Sequence, residues 1–334
     1  MTIDTILAET TPRAMRLALM SGDDLIELQI DRPGRGHRAG DVFAGRVVRV
    51  VPGLNAAFVD VGEGVTGFLR AKEADVERSG GAISKLVTEG ARVAVAIKTD
   101  ARDEKGPVLT RRFDDTDGAI AAAAMRVEPP KLVSRAEPLL VHLAALYPEA
   151  RVVADSPADV VPLRRLQRDG EIVLHQGAEP LLEAAGVEEQ LETALAPEVT
   201  LRSGAVLRFE PGRTLTAVDV DSAAASEAAG DAVAINLEAA PVIAHQLRLR
   251  NLGGLVVVDF LNMQDKKAGG RLVTDLFVAL KNDPAETALD GPSRFGLVEM
   301  ARQRLGQRIV VAAHLVDRGG DDAQGAADAG PGEG

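Results

Sequence analysis

The sequence predicts a multidomain protein of mixed α+β and α/β class, with a small OB-type β-barrel toward its N-terminal end. Three observations carry that expectation. Residues 41–112 hold five short apolar runs broken by Gly-rich turns, residues 113–213 alternate helical and strand patterns, and residues 214–316 run strand, long helix, buried strand. A chain of 334 residues has room for two domains or three small ones.

In chain order, RAMRLALMSGDDLIELQI (residues 13–30) reads as a hairpin, two apolar runs around the turn SGDD, followed by the loop DRPGRGHRAGD. The barrel is expected from DVFAGRVVRVV, NAAFVDVG, GVTGFLRA, VTEGARVAVAIKTDA and GPVLTRR. PLLVHLAALY is helical, ARVVADS a strand, DVVPLRRLQ a short helix, EIVLHQG a strand and VEEQLETALA a helix, with VTLRSGAVLRFEPG a hairpin. TLTAVDVDS is then a strand ending in carboxylates. DAVAINLEAAPVIAHQLRLRNL is a long helix that Pro241 should kink or start late. GGLVVVDFLNM is a second buried strand, RLVTDLFVALKND a helix and FGLVEMARQRL a final strand–helix element. Strand, helix and buried strand in that order predict a parallel pair joined by a crossover. The tail after Val316, DRGGDDAQGAADAGPGEG, is expected to be disordered.

Composition narrows the chemistry. With 46% apolar but only 3% aromatic residues, the core must come from Val, Leu, Ile and Ala. The absence of cysteine excludes disulfides, thiolate catalysis, zinc ribbons and iron–sulfur clusters. His37, His142, His175, His245 and His314 show no metal-ligand spacing. The N-terminus carries charges within its apolar stretch and no run of 18 apolar residues exists, so a cytoplasmic protein with no membrane span is expected. A net charge of −12 argues against bulk polyanion binding, yet leaves room for local basic patches and suits divalent metals.

Three sets of residues stand out. VDVDS and VVVDFLNM are apolar strands whose ends carry Asp219, Asp221 and Asp259. If the strands are neighbours these carboxylates converge, and clustered carboxylates need protons, solvent or a cation. Oxygen ligands favour Mg²⁺, or Mn²⁺ in its place. Equally, each Asp can cap the turn that follows it. Arg248 and Arg250 end the long helix, and Arg294, Arg302 and Arg304 flank FGLVEM. They suit bidentate phosphate contacts, or they are helix-end charges complementing the dipole. In the barrel, Phe58 and Phe68 with Lys105 either form a base-stacking platform or, for the two Phe, belong to the core.

Taken together these segments resemble the ribonuclease E/G family of bacterial endoribonucleases. IDRPGRGHRAGDVFAGRVVRVVPGLNAAFVDVGEGVTGFL is similar to the family's opening with its RNA-binding OB domain, and KGPVLTRR to that domain's end. LTAVDVDS, NLEAAPVIAHQLRLRNLGGLVVVDFLNM and SRFGLVEMARQRL are similar to the catalytic part, and the likeness runs from about Arg13 to Arg308, weakest in the middle. The resemblance implies an RNase H-like layer (residues 1–38 and 113–213) with the OB barrel (39–112) inserted, then a DNase I-like catalytic domain (214–316) and the tail (317–334). It implies a Mg²⁺-dependent endoribonuclease cleaving single-stranded RNA in the processing or decay of rRNA, tRNA or mRNA. The alternative is an RNA-binding relative with weak or lost cleavage. Asp219 and Asp259 match the family's metal-binding catalytic aspartates, and Asp221 falls where the family usually has an Asn. Phe58, Phe68 and Lys105 match the barrel positions that grip RNA.

Three departures accompany the match. The Arg-Thr stretch that senses a 5′-monophosphate has no clear counterpart, since residues 113–135 pass quickly from RRFDDTDGAIAAAAMRV to PPKLVSR. The paired-Cys zinc motif and the small C-terminal domain are missing, so no zinc is expected, and a monomer or dimer rather than the family tetramer. The loop SAAASEAAGDAV after Asp221 lacks the basic and Gly residues of the family.

Overall fold

The computed structural model describes residues 2–303 apart from 33–35, 102–104, 114–117, 223–231 and 264–265. The expected disordered tail, Arg304, the last helix and most of the Ala-rich loop lie outside the described residues. The chain forms two compact units, residues 1–33 with 139–334, and residues 34–138.

The first unit contains two sheets. In one, β1 (Thr5–Thr10), β2 (Met15–Ser21) and β3 (Asp24–Asp31) form an antiparallel meander. The hairpin expected over 13–30 is β2–β3, and β1 is a strand that sequence reasoning missed. The sheet is completed by elements that follow the second unit's segment, whose own strands and helices take the intervening numbers. Helix α4 (Leu139–Leu146) leads to β10 (Arg151–Ala154), α5 (Pro157–Leu163) and β11 (Ile172–Leu174), and both strands join the sheet in parallel, in the order β11-β10-β1-β2-β3. Ile6 and Ala8 pack on one face with Leu140 and Leu143 of α4. Leu7 packs on the other with α6 (Leu181–Ala184) and α7 (Val187–Leu195), through Leu182 and Leu191. Burial on both faces explains why β1 reads as an apolar run rather than an alternation.

The other sheet has six strands: β12 (Glu198–Thr200), β13 (Val206–Pro211), β14 (Leu215–Asp221), β15 (Gly254–Asp259), β16 (Thr287–Leu289) and β17 (Val298–Arg302), in the order β12-β13-β14-β15-β17-β16. β14 and β15 pair in parallel across the helix α8 (Ala232–Leu249), as the pattern predicts. Helix α9 (Lys266–Leu280) follows β15. Val218, Val220, Val256, Val258 and Met300 face the core with Ile235, Ala239, Ile243 and Leu247 of α8 and Leu272 and Leu276 of α9. One correction concerns Pro241: it does not mark a later start, because α8 is already helical from Ala232 and runs through it. Pro241 is on the exposed side, and the buried stripe on both sides of it outweighs the roughly 3 kcal/mol that an interior proline costs.

The second unit is the expected barrel: β4 (Val42–Val51), β5 (Ala56–Gly62), β6 (Val65–Arg70), α1 (Ala71–Ala74), α2 (Ile83–Leu86), β7 (Arg92–Thr99) and β8 (Val108–Thr110). The strands run β5-β6-β8-β7-β4, and β4 pairs back onto β5 to close the ring. Phe43, Val59, Leu69, Val95 and Leu109 fill it. The unit extends to residue 138, beyond the expected boundary at 112, because α3 (Gly118–Ala124) packs against Ala44 and Ala94, and β9 (Lys131–Ser134) hydrogen-bonds to β4.

Candidate functional site

Among the described residues, helices cover one face of the six-stranded sheet and leave the other without a helix. In β14, Thr216, Val218 and Val220 point inward, so Ala217, Asp219 and Asp221 point the other way. In β15, Val256 and Val258 point inward and Asp259 outward. The parallel register sets Asp219 directly beside Asp259, which places their backbones about 4.8 Å apart. The convergence expected from sequence is therefore present, at the carboxyl ends of two neighbouring strands, and Asp219 and Asp259 are both exposed.

Sequence reasoning missed the cation beside them. Arg208 on β13 is the register partner of Asp219. Its Nη1 donates to Asp221 Oδ2 at 2.5 Å and lies 3.4 Å from Asp219 Oδ2, while its Nε donates to Glu198 Oε1 at 2.9 Å. Hydrogen bonds to Asp221 and then Glu198 raise the guanidinium's pKa further, so it stays charged at any working pH. The extra carboxylate at Asp221 thus shares a counter-ion with Glu198 and Asp219. The Asp259 side chain has no hydrogen-bond or ion-pair partner among the described residues.

Behind the pair, Asn236 of α8 is fully buried. Its Nδ2 donates to Leu261 O at 2.8 Å, and its Oδ1 accepts from Leu261 N at 3.0 Å. This two-way bond fixes the chain just past Asp259. Nothing in the local sequence marks Asn236, because its partner is 25 residues away.

Among the described residues no three His, Asp or Glu side chains gather closely enough to hold a metal ion. Two adjacent carboxylates still fit Mg²⁺, which keeps several of its waters and takes only one or two protein carboxylates.

The arginines divide. Arg248 is 6% exposed, with Nε on Glu27 Oε2 at 3.0 Å and Nη1 donating to Asn282 O. Arg302 is 3% exposed and forks onto Asp283 at 2.7 and 2.9 Å, with Nη1 on Leu252 O. Arg250 is buried over the Phe209 ring at 4.5 Å with Nε on Gln246 Oε1, and burial pulls its pKa down to about 10. The fold itself employs these three, in place of the solvent-facing phosphate contacts expected of them. Their positions on inward faces of α8, of the turn after it and of β17 are the physical reason. Arg294 alone of the described set is exposed, at 4.9 Å from the Phe295 ring.

In the barrel, Phe58 and Phe68 alternate with core residues Ala57, Val59 and Leu69, so they lie on the outer surface and not in the core. They are directly opposed across β5–β6, ring centroids 5.5 Å apart. Arg70 stands 5.9 Å over Phe68, Arg49 of β4 is the register partner of Phe58, and Lys105 is exposed. Arg49 and Arg70 were legible only once the register was known.

A basic aromatic barrel surface and a strand-end carboxylate pair are the parts of a nucleic-acid-processing protein. The chain matches the S1 RNA binding domain over residues 36–112 and the Ribonuclease E/G family over residues 84–305. The chain belongs to the ribonuclease E/G family. Ribonuclease E of Haemophilus influenzae is 29% identical over 93% of this chain and 43% of that protein. Ribonuclease E of Escherichia coli is 28% identical over 93% and 38%. Ribonuclease G of Haemophilus influenzae is 27% identical over 90% and 79%. The chain spans less than half the length of these ribonuclease E relatives. The 399-residue alignment with the first is longer than this whole chain of 334, so that relative carries internal segments this chain lacks.

Proposed function

We propose that this chain is a metal-dependent endoribonuclease that cleaves single-stranded RNA, with Mg²⁺ held by Asp219 and Asp259. The carrying observation is the side-by-side register of these two aspartates on the uncovered sheet face, in a chain of this family. The six-stranded sheet with α8 and α9 is read as the DNase I-like layer and the five-stranded sheet as the RNase H-like one.

The metal, when bound, supplies an activated water and stabilises charge on the phosphoryl group. The chain's own residues prepare the place. Asp219 and Asp259 present oxygens from adjacent strands, and Asn236 fixes the segment that follows Asp259. Arg208 donates to both Asp221 and Glu198, so one fixed cation offsets part of the negative charge that these carboxylates add beside the pair. Phe58 and Phe68 offer π-faces to bases, and Arg49, Arg70 and Lys105 offer positive charge to the backbone.

A second reading, an RNA-binding relative with weak cleavage, is favoured by one contact: Arg208 Nη1 also reaches Asp219, where it competes with a metal. A cleavage assay on a short single-stranded RNA decides between them. Metal-dependent cutting by the purified protein supports the enzyme, while RNA binding without cutting at any Mg²⁺ or Mn²⁺ concentration supports the second reading.

A further inference from the structure

Phe295 is 76% exposed, more than any other large apolar side chain among the described residues. Its place is set by a tight turn. Gly296 N donates to Ser293 O at 2.9 Å, Ser293 N donates to Leu297 O at 2.8 Å, and Phe295 N donates to Ser293 Oγ at 3.3 Å. Arg294 and Phe295 are therefore the central residues of a four-residue turn, and Gly296 closes it with φ +87°, a conformation that suits glycine. Val298 pairs with Val258, so this turn emerges from the sheet at the end where β15 delivers Asp259. The Arg294 guanidinium lies 4.9 Å from the ring centroid, which leaves the opposite ring face open.

We propose that Phe295, backed by Arg294, is a stacking platform for one RNA base beside the phosphodiester presented to Asp219 and Asp259. This rests on the endoribonuclease reading and adds a base-binding subsite to it. An exposed ring on a hydrogen-bonded turn is pre-organised, so little is lost in ordering it when a base arrives. The Arg294 cation holds the ring from behind and adds attraction for the neighbouring phosphate. Stacking tolerates any base, so the subsite grips without imposing sequence.

The chain has no Trp, so Phe295→Trp installs a single fluorescent reporter. In metal-free buffer, a decamer of adenylate should quench its emission, whereas an abasic decamer of equal charge should not. Unchanged emission while a labelled adenylate decamer binds, or equal change with both oligomers, overturns the proposal. Phe295→Ala should weaken binding of the labelled decamer roughly 5- to 150-fold, and Phe295→Leu should fail to restore it. Rescue by Leu would assign the residue to packing instead. If wild-type protein neither binds nor cuts RNA, the endoribonuclease reading itself fails. If wild type binds and cuts and Phe295→Ala matches it, only this inference fails.

Discussion

Residues 34–138 carry seventeen Lys and Arg against fifteen Asp and Glu, a net charge of +2, whereas the rest of the chain carries −14. The barrel unit therefore attracts a polyanion while the larger unit, which bears the aspartate pair, repels it at long range. Arginine use follows the same division. Arg49 and Arg70 stand exposed beside the barrel aromatics, but Arg248, Arg250 and Arg302 are buried among internal partners. Arginine content by itself is thus a poor guide to a nucleic-acid surface, because strand and helix periodicity decides which guanidinium meets solvent.

The strongest way to break this comparison is Arg302→Ala. It leaves Asp283, 3% exposed at the side chain, without its partner, and an orphaned buried charge costs about 3–5 kcal/mol. Chemical unfolding should show that loss, with RNA affinity of the folded protein unchanged. Normal stability with weakened RNA binding would return Arg302 to the surface role. Next, Asp259→Asn should lower metal-dependent cleavage by about two to three orders of magnitude, as several kcal/mol of charge stabilisation are lost. RNA affinity should stay near wild-type, since the exposed aromatic rings and the cations beside them are untouched. A mutant that cuts at the normal rate would remove the metal assignment. Phe58→Ala should weaken RNA binding by about 1–3 kcal/mol and leave thermal stability nearly unchanged, since the ring is on the barrel's outer face. A collapsed barrel would reassign it to the core. The smallest effect is expected from Lys105→Gln: a uniform loss of affinity across sequences, and a salt slope shallower by about 1. An unaltered slope would take Lys105 off the phosphate path.

Much of the larger unit was legible because its strands announce themselves. TLTAVDVDS and GGLVVVDF combine β-branched runs with a terminal carboxylate, and their parallel pairing follows from the helix between them. What stayed hidden depends on partners distant in sequence. Arg208 looked like any hairpin residue until β13 was seen to pair with β14. Asn236 looked like an ordinary helical polar residue until Leu261 was found to exchange two bonds with it. Phe295 stood at the head of the expected strand FGLVEM, and only the positive φ of Gly296 and the turn around Ser293 put it at an apex. The barrel shows the reverse case. Its strand runs were plain, but whether Phe58 and Phe68 faced in or out hinged on one residue of phase.

The register of β14 against β15 has a consequence for how the chain tolerates change. Because strand side chains alternate, inserting or deleting a single residue between Leu255 and Val258 would rotate Asp259 into the space that Val258 and Leu247 fill. No rearrangement of the loops beyond could bring it back. Many substitutions within VVV should leave the aspartate pair in place provided they remain apolar, while length changes there should destroy it. The placement of the aspartate pair is thus written as a count of residues, kept in step by the buried Val256 and Val258.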